Sequence, residues 1–247
     1  MSGTLILLRH GQSNGNAEGV FTGLLDVPLT TTGRAEATRA ARLLAAADLI
    51  PRHWFCSPML RARETVRALR DALRIRPPRV ELDWRLTERN YGALTGLSKS
   101  AVREEFGEAQ FLAWRRSVDE APPPMSAQQR AGIRWQAQAG PDERLGAAES
   151  ERDVIIRVAE LYEERIRPAL NPAWPTIVVA HGNSLRALCS VLDLLDEAEV
   201  QDLNIPTGQP LVYRIDPEGQ PRIRGGRYLD APAAAAAAAA IAREGGT

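Results

Sequence analysis

Short, unbroken apolar runs recur along the chain. Leu5-Ile6-Leu7-Leu8 is the first, and Ile177-Val178-Val179-Ala180 is the most uniform. Runs that are apolar at successive rather than alternate positions predict strands buried on both faces, as in a parallel sheet. On this pattern strands fall over 4–8, 54–57, 80–82, 176–180, 211–215 and 222–228, the last two joined at Pro217-Glu218-Gly219. Between them the apolar period changes to that of a helix. Ala37, Ala41, Leu44 and Ala45 share one face of a helix predicted over 34–49. Pro58 suits the first turn of another that runs through Met59, Ala62, Val66, Leu69 and Leu73. Ser150, with Asp153 three residues on, forms a capping box for a helix over 151–166. Shorter helices are predicted over 14–19 and 184–192.

Strands alternating with helices predict a three-layer α/β sandwich with a mostly parallel central sheet. Residues 85–148 break the rhythm with weak helices, polar stretches and Pro122-Pro123-Pro124. They predict a helical and loop excursion covering the C-terminal edge of the sheet. Residues 1–230 then form one domain, and 231–247 an Ala-rich tail. The run Ala233–Ala240 offers no side chains for strong docking, so the tail is predicted to be mobile. A chain of 247 residues can bury a sizeable core as a single domain.

Composition removes several classes of partner. The chain has 31 basic and 31 acidic residues and a formal net charge of zero, so no bulk field favours nucleic acid or an anionic membrane. No apolar run approaches the ~20 residues of a membrane span, and the first residues lack a leader pattern. Cys56 and Cys189, both in apolar contexts, predict reduced, buried thiols and a cytoplasmic protein. Among the basic residues a single one is lysine, Lys99. Either it sits by chance on a solvated face, or that position needs a compact ammonium that arginine does not supply.

The chemistry gathers where the strands end. Arg9-His10-Gly11 follows the first apolar run directly, and His181-Gly182-Asn183 follows the most uniform one. Both histidines therefore lie at C-terminal strand ends, where open α/β sheets form their ligand crevice. A lone histidine there is more often structural than catalytic, but the neighbours change the reading. Arg9 precedes His10, and Gln12-Ser13-Asn14-Gly15-Asn16 and Thr22-Gly23 add small hydrogen-bonding groups. Arg61 lies at the start of a helix that follows a strand end, and Gly182-Asn183 opens another helix N-terminus. Two arginines, two histidines and helix N-termini describe a site for a multiply charged anion, with phosphate the natural candidate. There is no Gly-Lys phosphate loop and no acidic cluster for magnesium, which argues against kinase-type nucleotide chemistry.

These segments also closely resemble a known family. LLRHGQSNGN (7–16), FTGLLDVPLTTTGRAEA (21–37), SPMLRARET (57–65), WRLTERNYGALTGLSK (84–99), WRR (114–116), VVAHGNSLRAL (178–188) and LNIPTGQPLVY (203–213) resemble the histidine phosphatase superfamily. The finer likeness is to its 2,3-bisphosphoglycerate-dependent phosphoglycerate mutases. The resemblance implies interconversion of 3- and 2-phosphoglycerate in glycolysis and gluconeogenesis. The route it implies runs through a phosphohistidine and a 2,3-bisphosphoglycerate intermediate. That bisphosphate is the implied priming donor, and no metal is implied. It makes His10 the nucleophile, Arg9, Arg61 and His181 the clamp on the moving phosphoryl group, and Glu88 the general acid and base. Gln12, Ser13, Asn16, Thr22, Gly23, Gly182 and Asn183 become the hydrogen-bonding lining. Tyr91, Lys99, Arg115 and Arg116 become the far, carboxylate- or phosphate-holding part of the site, and Arg89 and Asn90 are further implied substrate-binding residues. The implied partners are a small phosphorylated anion and further copies of the chain, as a homodimer or homotetramer, with no nucleic acid and no membrane.

The chain departs from the family pattern at Asn14-Gly15, Leu24 and Asn90, and 126–148 matches poorly. Two other readings remain. A broad phosphomonoesterase of the same fold would need the nucleophile and clamp but not Lys99, Arg115 and Arg116. A non-catalytic phospholigand-binding module would predict loss of His10 or Glu88, and both are present.

Overall fold

A computed structural model describes residues 2–76, 79–133 and 144–246. The first half carries β1 (Gly3–Arg9), α1 (Asn14–Ala17), α2 (Thr31–Ala46), β2 (His53–Cys56), α3 (Leu60–Leu73) and β3 (Val80–Leu82). The excursion follows, with α4 (Lys99–Arg116) and α5 (Ala127–Gly132). The chain returns through α6 (Glu151–Leu161), α7 (Arg167–Ala169), β4 (Thr176–Ala180), α8 (Gly182–Asp193) and α9 (Glu197–Asp202). It closes with β5 (Leu211–Ile215), β6 (Arg227–Tyr228) and α10 (Ala231–Arg243).

The strands form one six-stranded sheet in the order β3-β2-β4-β1-β5-β6. β1 to β4 are mutually parallel, while β5 runs antiparallel to β1 and β6 antiparallel to β5. The sheet is therefore mostly parallel, as the apolar runs predict. Successive side chains of β1 enter opposite layers. Leu5 and Leu7 pack with Val154, Val158 and Leu185 of α6 and α8. Ile6 and Leu8 pack with Ala40, Leu44, Ala62 and Val66 of α2 and α3. The helices that follow β1 and β4 thus lie on opposite faces, and the two strands are neighbours. Their shared C-terminal edge is a topological switch point, the place where such sheets open a crevice.

Several boundaries differ from expectation, each for a local reason. α2 starts at Thr31 rather than 34, because the Thr30 side chain caps it by accepting from Gly33 N. Pro58 precedes α3 instead of entering it, and Met59 is the N-cap. α6 is regular to Leu161 and continues as a π-helical turn over Tyr162–Ile166. Its expected capping box is present, with Asp153 N donating to Ser150 Oγ at 3.2 Å and Ser150 N donating to Asp153 Oδ2 at 2.8 Å. Of the strand expected over 222–228 only Arg227–Tyr228 pairs. Gly225 and Gly226, at φ 79° and 59°, turn the chain just before it.

The excursion holds more order than its composition suggests. α4 is an 18-residue helical segment, broken at Gly107, where φ is 81° and ψ 161°. Its Val102, Phe111 and Trp114 join Phe21, Tyr91 and Leu94 in a separate small core. Residues 134–143 of the poorly matching stretch lie outside the described residues.

The tail is docked rather than free of contacts. Asp230 caps α10 and pairs with Arg39. At the far end the Gly245 carbonyl accepts from Arg115 Nε at 3.1 Å, and Gly245 and Gly246 are buried. Ala234 is buried and Ala233, Ala237 and Ala238 half-buried, so one face of the helix packs inward, while its two ends are tied by polar contacts, partly of backbone atoms.

Candidate active site

The register of the two central strands sets the site. Arg9 is paired with Ala180, so the next residues, His10 and His181, emerge side by side. His10 N donates to Ala180 O at 3.0 Å. The two rings meet edge-on, with centroids 5.0 Å apart and planes at 62°. The loop after β1 must pass close to the start of α2. A Cβ on Gly11 would run into the Gly33 backbone, and one on Gly33 into Gln12, so both positions need glycine.

His10 is held as a defined tautomer. Its Nδ1 lies 2.6 Å from Gly11 O. A carbonyl only accepts, so Nδ1 carries the proton and Nε2 keeps its lone pair. Gly11 is itself fixed, its N–H donating to Thr65 Oγ1 at 3.2 Å. Burial, then Arg61 and Arg9, push the His10 pKa well below its ordinary value. His10 is therefore a neutral imidazole over the ordinary pH range, with an unshared pair on Nε2.

His10 opens into a cavity also lined by Arg9, Asn16, Val20, Phe21, Thr22, Gly23, Arg61, Glu88, Tyr91, Lys99, Arg115 and Asn183. Four cationic side chains face one carboxylate there. Arg61 reaches in from α3, with Nη1 on Leu25 O at 2.7 Å and Nη2 on Gly23 O at 3.0 Å. Burial lowers the Arg61 and Arg115 pKa values to about 10. Burial, then Arg115 and Arg9, lower Lys99 to about 7. Such a concentration of buried positive charge, only partly offset by Glu88, favours the entry of an anion.

The Glu88 carboxylate is held through one of its oxygens. Its Oε1 accepts three N–H groups, from Arg89 N at 2.8 Å, Asn183 Nδ2 at 3.0 Å and Asn183 N at 3.2 Å. The second of these places α8's N-terminal side chain on the carboxylate and the third its backbone. Oε1 is thus the carboxylate oxygen that the protein engages. Asn183 is oriented in turn by Arg186, whose Nη2 donates to Asn183 Oδ1 at 2.7 Å while pairing with Glu151. A second fully buried pair, Arg157 with Glu149, brackets the Glu88 loop. Arg157 Nη1 donates to Thr87 O at 3.1 Å, and Glu149 Oε2 accepts from Asn90 N at 2.8 Å. Buried pairs of this kind fix geometry more surely than they add stability.

Not every residue expected at the site reaches the cavity. His181 lies fully buried beneath His10. Gln12 accepts from Thr30 Oγ1 at 2.8 Å, and Ser13 caps α1. Arg89 donates to Glu149 O and Glu120 O, and Asn90 Nδ2 to Gly146 O, so both build the loop instead of lining the cavity. Arg116 packs against Gly246, and Gly182 opens α8. Val20 and Phe21 wall the cavity without having been expected there. Phe21 could have been found from its place in a loop rich in expected ligands. Ser57, which touches His181, carries no signal beyond its position at a strand end. Among the described residues, no group of three His, Cys, Asp or Glu is placed to hold a metal ion, and no helix is long and apolar enough to cross a membrane.

The depressed Lys99 pKa has a measurable consequence. An anion in the cavity favours the ammonium, so binding above pH about 7 takes up a proton. Sulfate, which does not titrate here, is expected to bind more weakly as pH is raised from about 7 to about 9. Lys99→Arg, which stays charged, should flatten that slope. Calorimetric titration of both proteins measures it. An equal slope in the variant would place the titrating group elsewhere.

Comparison with known proteins agrees with this geometry. Residues 5–137 match the histidine phosphatase superfamily (branch 1). A 2,3-bisphosphoglycerate-dependent phosphoglycerate mutase of Corynebacterium jeikeium is 45% identical over 98% of this chain and 96% of its own. That of Mycobacterium tuberculosis is 45% identical over 99% and 98%. Among solved structures, a mycobacterial glucosyl-3-phosphoglycerate phosphatase aligns with a TM-score of 0.69 at 26% identity, over 91% of this chain and 100% of that one. The chain belongs to branch 1 of the histidine phosphatase superfamily, within the family of 2,3-bisphosphoglycerate-dependent phosphoglycerate mutases.

Proposed function

We propose that the protein interconverts 3- and 2-phosphoglycerate by way of a phosphohistidine on His10. The observation that carries this reading is the shape of the charge. The cavity holds a neutral nucleophile on which Arg61 and Arg9 act, and Lys99 and Arg115 line the same cavity as further cations. A hydrolase needs only the first pair. The relatives at 45% identity are named as mutases, which points the same way.

The chemistry follows from the donor set. With His10 carrying the phosphoryl group, the free hydroxyl of the substrate attacks phosphorus, the bond to His10 Nε2 breaks, and Glu88 Oε2 takes the hydroxyl's proton. The ligand, now phosphorylated at both positions, turns over. Nε2 then attacks its other phosphorus, the bond to the substrate oxygen breaks, and Glu88 returns the proton to that oxygen, leaving His10 loaded again. Arg9 and Arg61 face the charge that gathers on the equatorial oxygens. Lys99 and Arg115 hold the far carboxylate or phosphate, so the ligand turns over without leaving.

The residues present also suit a priming bisphosphate. Arg9 Nε and Arg115 Nη1 are buried without a partner among the described residues, one in each pair of cations. When bound, 2,3-bisphosphoglycerate supplies the phosphoryl group that loads His10. The testing experiment is isomerisation of 3-phosphoglycerate in excess EDTA, with and without added 2,3-bisphosphoglycerate. Activity is expected to survive EDTA and to rise with the bisphosphate. Hydrolysis without isomerisation would favour the phosphomonoesterase reading instead.

Arg115→Ala is expected to separate the two activities. It removes charge-assisted contacts worth roughly 1.5–3 kcal/mol from the second pair alone. Isomerisation should fall about tenfold or more, while hydrolysis of a small phosphomonoester changes little. Equal losses in both rates would make Arg115 structural. A cytoplasmic location fits the same reading, as does a homodimer or homotetramer, which sedimentation measures. Edge strand β3, where Leu82 is 48% exposed, lacks a partner on one side of the described sheet.

A further inference from the structure

Ser57 follows β2 as a fully buried hydroxyl and lines no part of the cavity. Its Oγ lies 2.7 Å from His181 Nε2. On the opposite side of the ring, Arg61 Nε donates to His181 Nδ1 at 3.2 Å. Both nitrogens of a fully buried imidazole are thereby engaged with the protein itself.

The direction of each bond can be derived. A guanidinium N–H only donates, so Nδ1 must carry a lone pair. The neutral ring then has its proton on Nε2, and Nε2–H donates to Ser57 Oγ. The opposite arrangement, with the hydroxyl donating to Nε2, would leave lone pairs on both nitrogens. That species is imidazolate, which is not formed near neutral pH. The serine is a fixed acceptor. Its N–H donates to Val179 O at 2.9 Å, and Met59 N donates to the same Oγ at 3.3 Å. A protonated ring would set Nδ1–H against Arg61 Nε–H. Burial, then Arg61, His10 and Arg9, hold the His181 pKa well below its ordinary value, in keeping with a neutral ring.

We propose that Ser57 is a positioning residue for the phosphate clamp: it locks His181 in the Nε2–H tautomer and, through the lone pair left on Nδ1, sets the plane of the Arg61 guanidinium. The inference rests on the phosphoryl-transfer reading of the cavity. Its physical content is a chain of three bonds. If the ring proton moved to Nδ1, two donors would face each other and the guanidinium would have to turn. Turning it breaks the contacts of Nη1 with Leu25 O and of Nη2 with Gly23 O, which tie Arg61 to the loop that walls the cavity. Ser57 would thus act on the bound anion without touching it.

The test combines a spectroscopic and a binding measurement on the free protein, neither of which needs turnover. Nitrogen-15 spectra of histidine-labelled wild type are expected to show His181 as the Nε2–H tautomer. In Ser57→Ala, Nε2–H loses its acceptor, and the His181 signals should move toward the Nδ1–H form or toward exchange between the two. Affinity for orthovanadate, a mimic of the phosphoryl group, should fall about tenfold or more with the orientation of Arg61 lost. Ser57→Thr, which keeps the hydroxyl, should restore both. A wild-type Nδ1–H tautomer would overturn the proposal even if Ser57→Ala failed to fold. So would a folded Ser57→Ala with wild-type spectra and wild-type orthovanadate affinity. If the tautomer and vanadate results hold but the wild type does not isomerise phosphoglycerate, the functional reading fails and the positioning role stands.

Discussion

His10→Ala is expected to leave a folded protein with no detectable isomerisation and no detectable phosphomonoester hydrolysis. Every step of the proposed reaction passes through Nε2, and no other side chain in the cavity combines a neutral lone pair with the arginine clamp. His181 is the nearest imidazole, but both of its nitrogens are hydrogen-bonded and it lies beneath His10. Removing a nucleophile of this kind costs on the order of 10⁶ in rate. The fold should survive, because the Gly11–Gly33 approach and the His10 backbone bond to Ala180 do not involve the ring. Incubation with radiolabelled 2,3-bisphosphoglycerate should label wild type with an acid-labile, base-stable phosphate and leave the variant unlabelled. Persistent label in His10→Ala would sink the assignment of the nucleophile.

Glu88→Gln is expected to lower kcat by roughly 10²–10⁴ while leaving orthovanadate affinity at least as strong as in wild type. The amide oxygen can still accept from Arg89 N and from both nitrogens of Asn183, so the loop keeps its shape. The atom that changes is the one in the place of Oε2, where an NH₂ group can neither take nor return a proton. Binding should not weaken, since the substitution removes the carboxylate that, among the described residues, alone lines a cationic cavity. Steady-state rates and vanadate titration on the same preparation separate the two effects. Normal turnover with weakened binding would instead make Glu88 a structural residue.

Much of the architecture was legible because its determinants are side chains in a regular pattern. Apolar runs marked β1, β3, β4 and β5 to within a residue or so, and two His-Gly pairs at strand ends marked the crevice. The misses share another cause. The cap at Thr30 is one hydroxyl among three consecutive threonines, and nothing in the pattern says which of them stops being extended. The start of α4 lacks a continuous apolar stripe, since Gly107 breaks its phase before Phe111 and Trp114. At the site, Arg89 and Asn90 are adjacent to Glu88 in sequence, but both side chains turn to backbone carbonyls of Glu149, Glu120 and Gly146 and support the loop from behind. Ser57 makes its contact across 124 positions of sequence through a ring that is itself hidden, so proximity in the chain gave no clue.

The alanine-rich helix has a further consequence. α10 spans 13 residues, or roughly 20 Å at ~1.5 Å per residue. It is anchored at one end by Asp230 on Arg39 and delivers a backbone carbonyl to Arg115 at the other. It therefore behaves as a ruler, whose graduation is residue number. Exchanging its exposed alanines, Ala235, Ala236 and Ala239, for other good helix formers leaves that carbonyl where it is. Adding a single residue advances the Gly245 carbonyl by about 1.5 Å and swings it through about 100°, out of reach of the arginine. The constraint on this segment is one of length and phase, with small residues needed only on the face that packs inward.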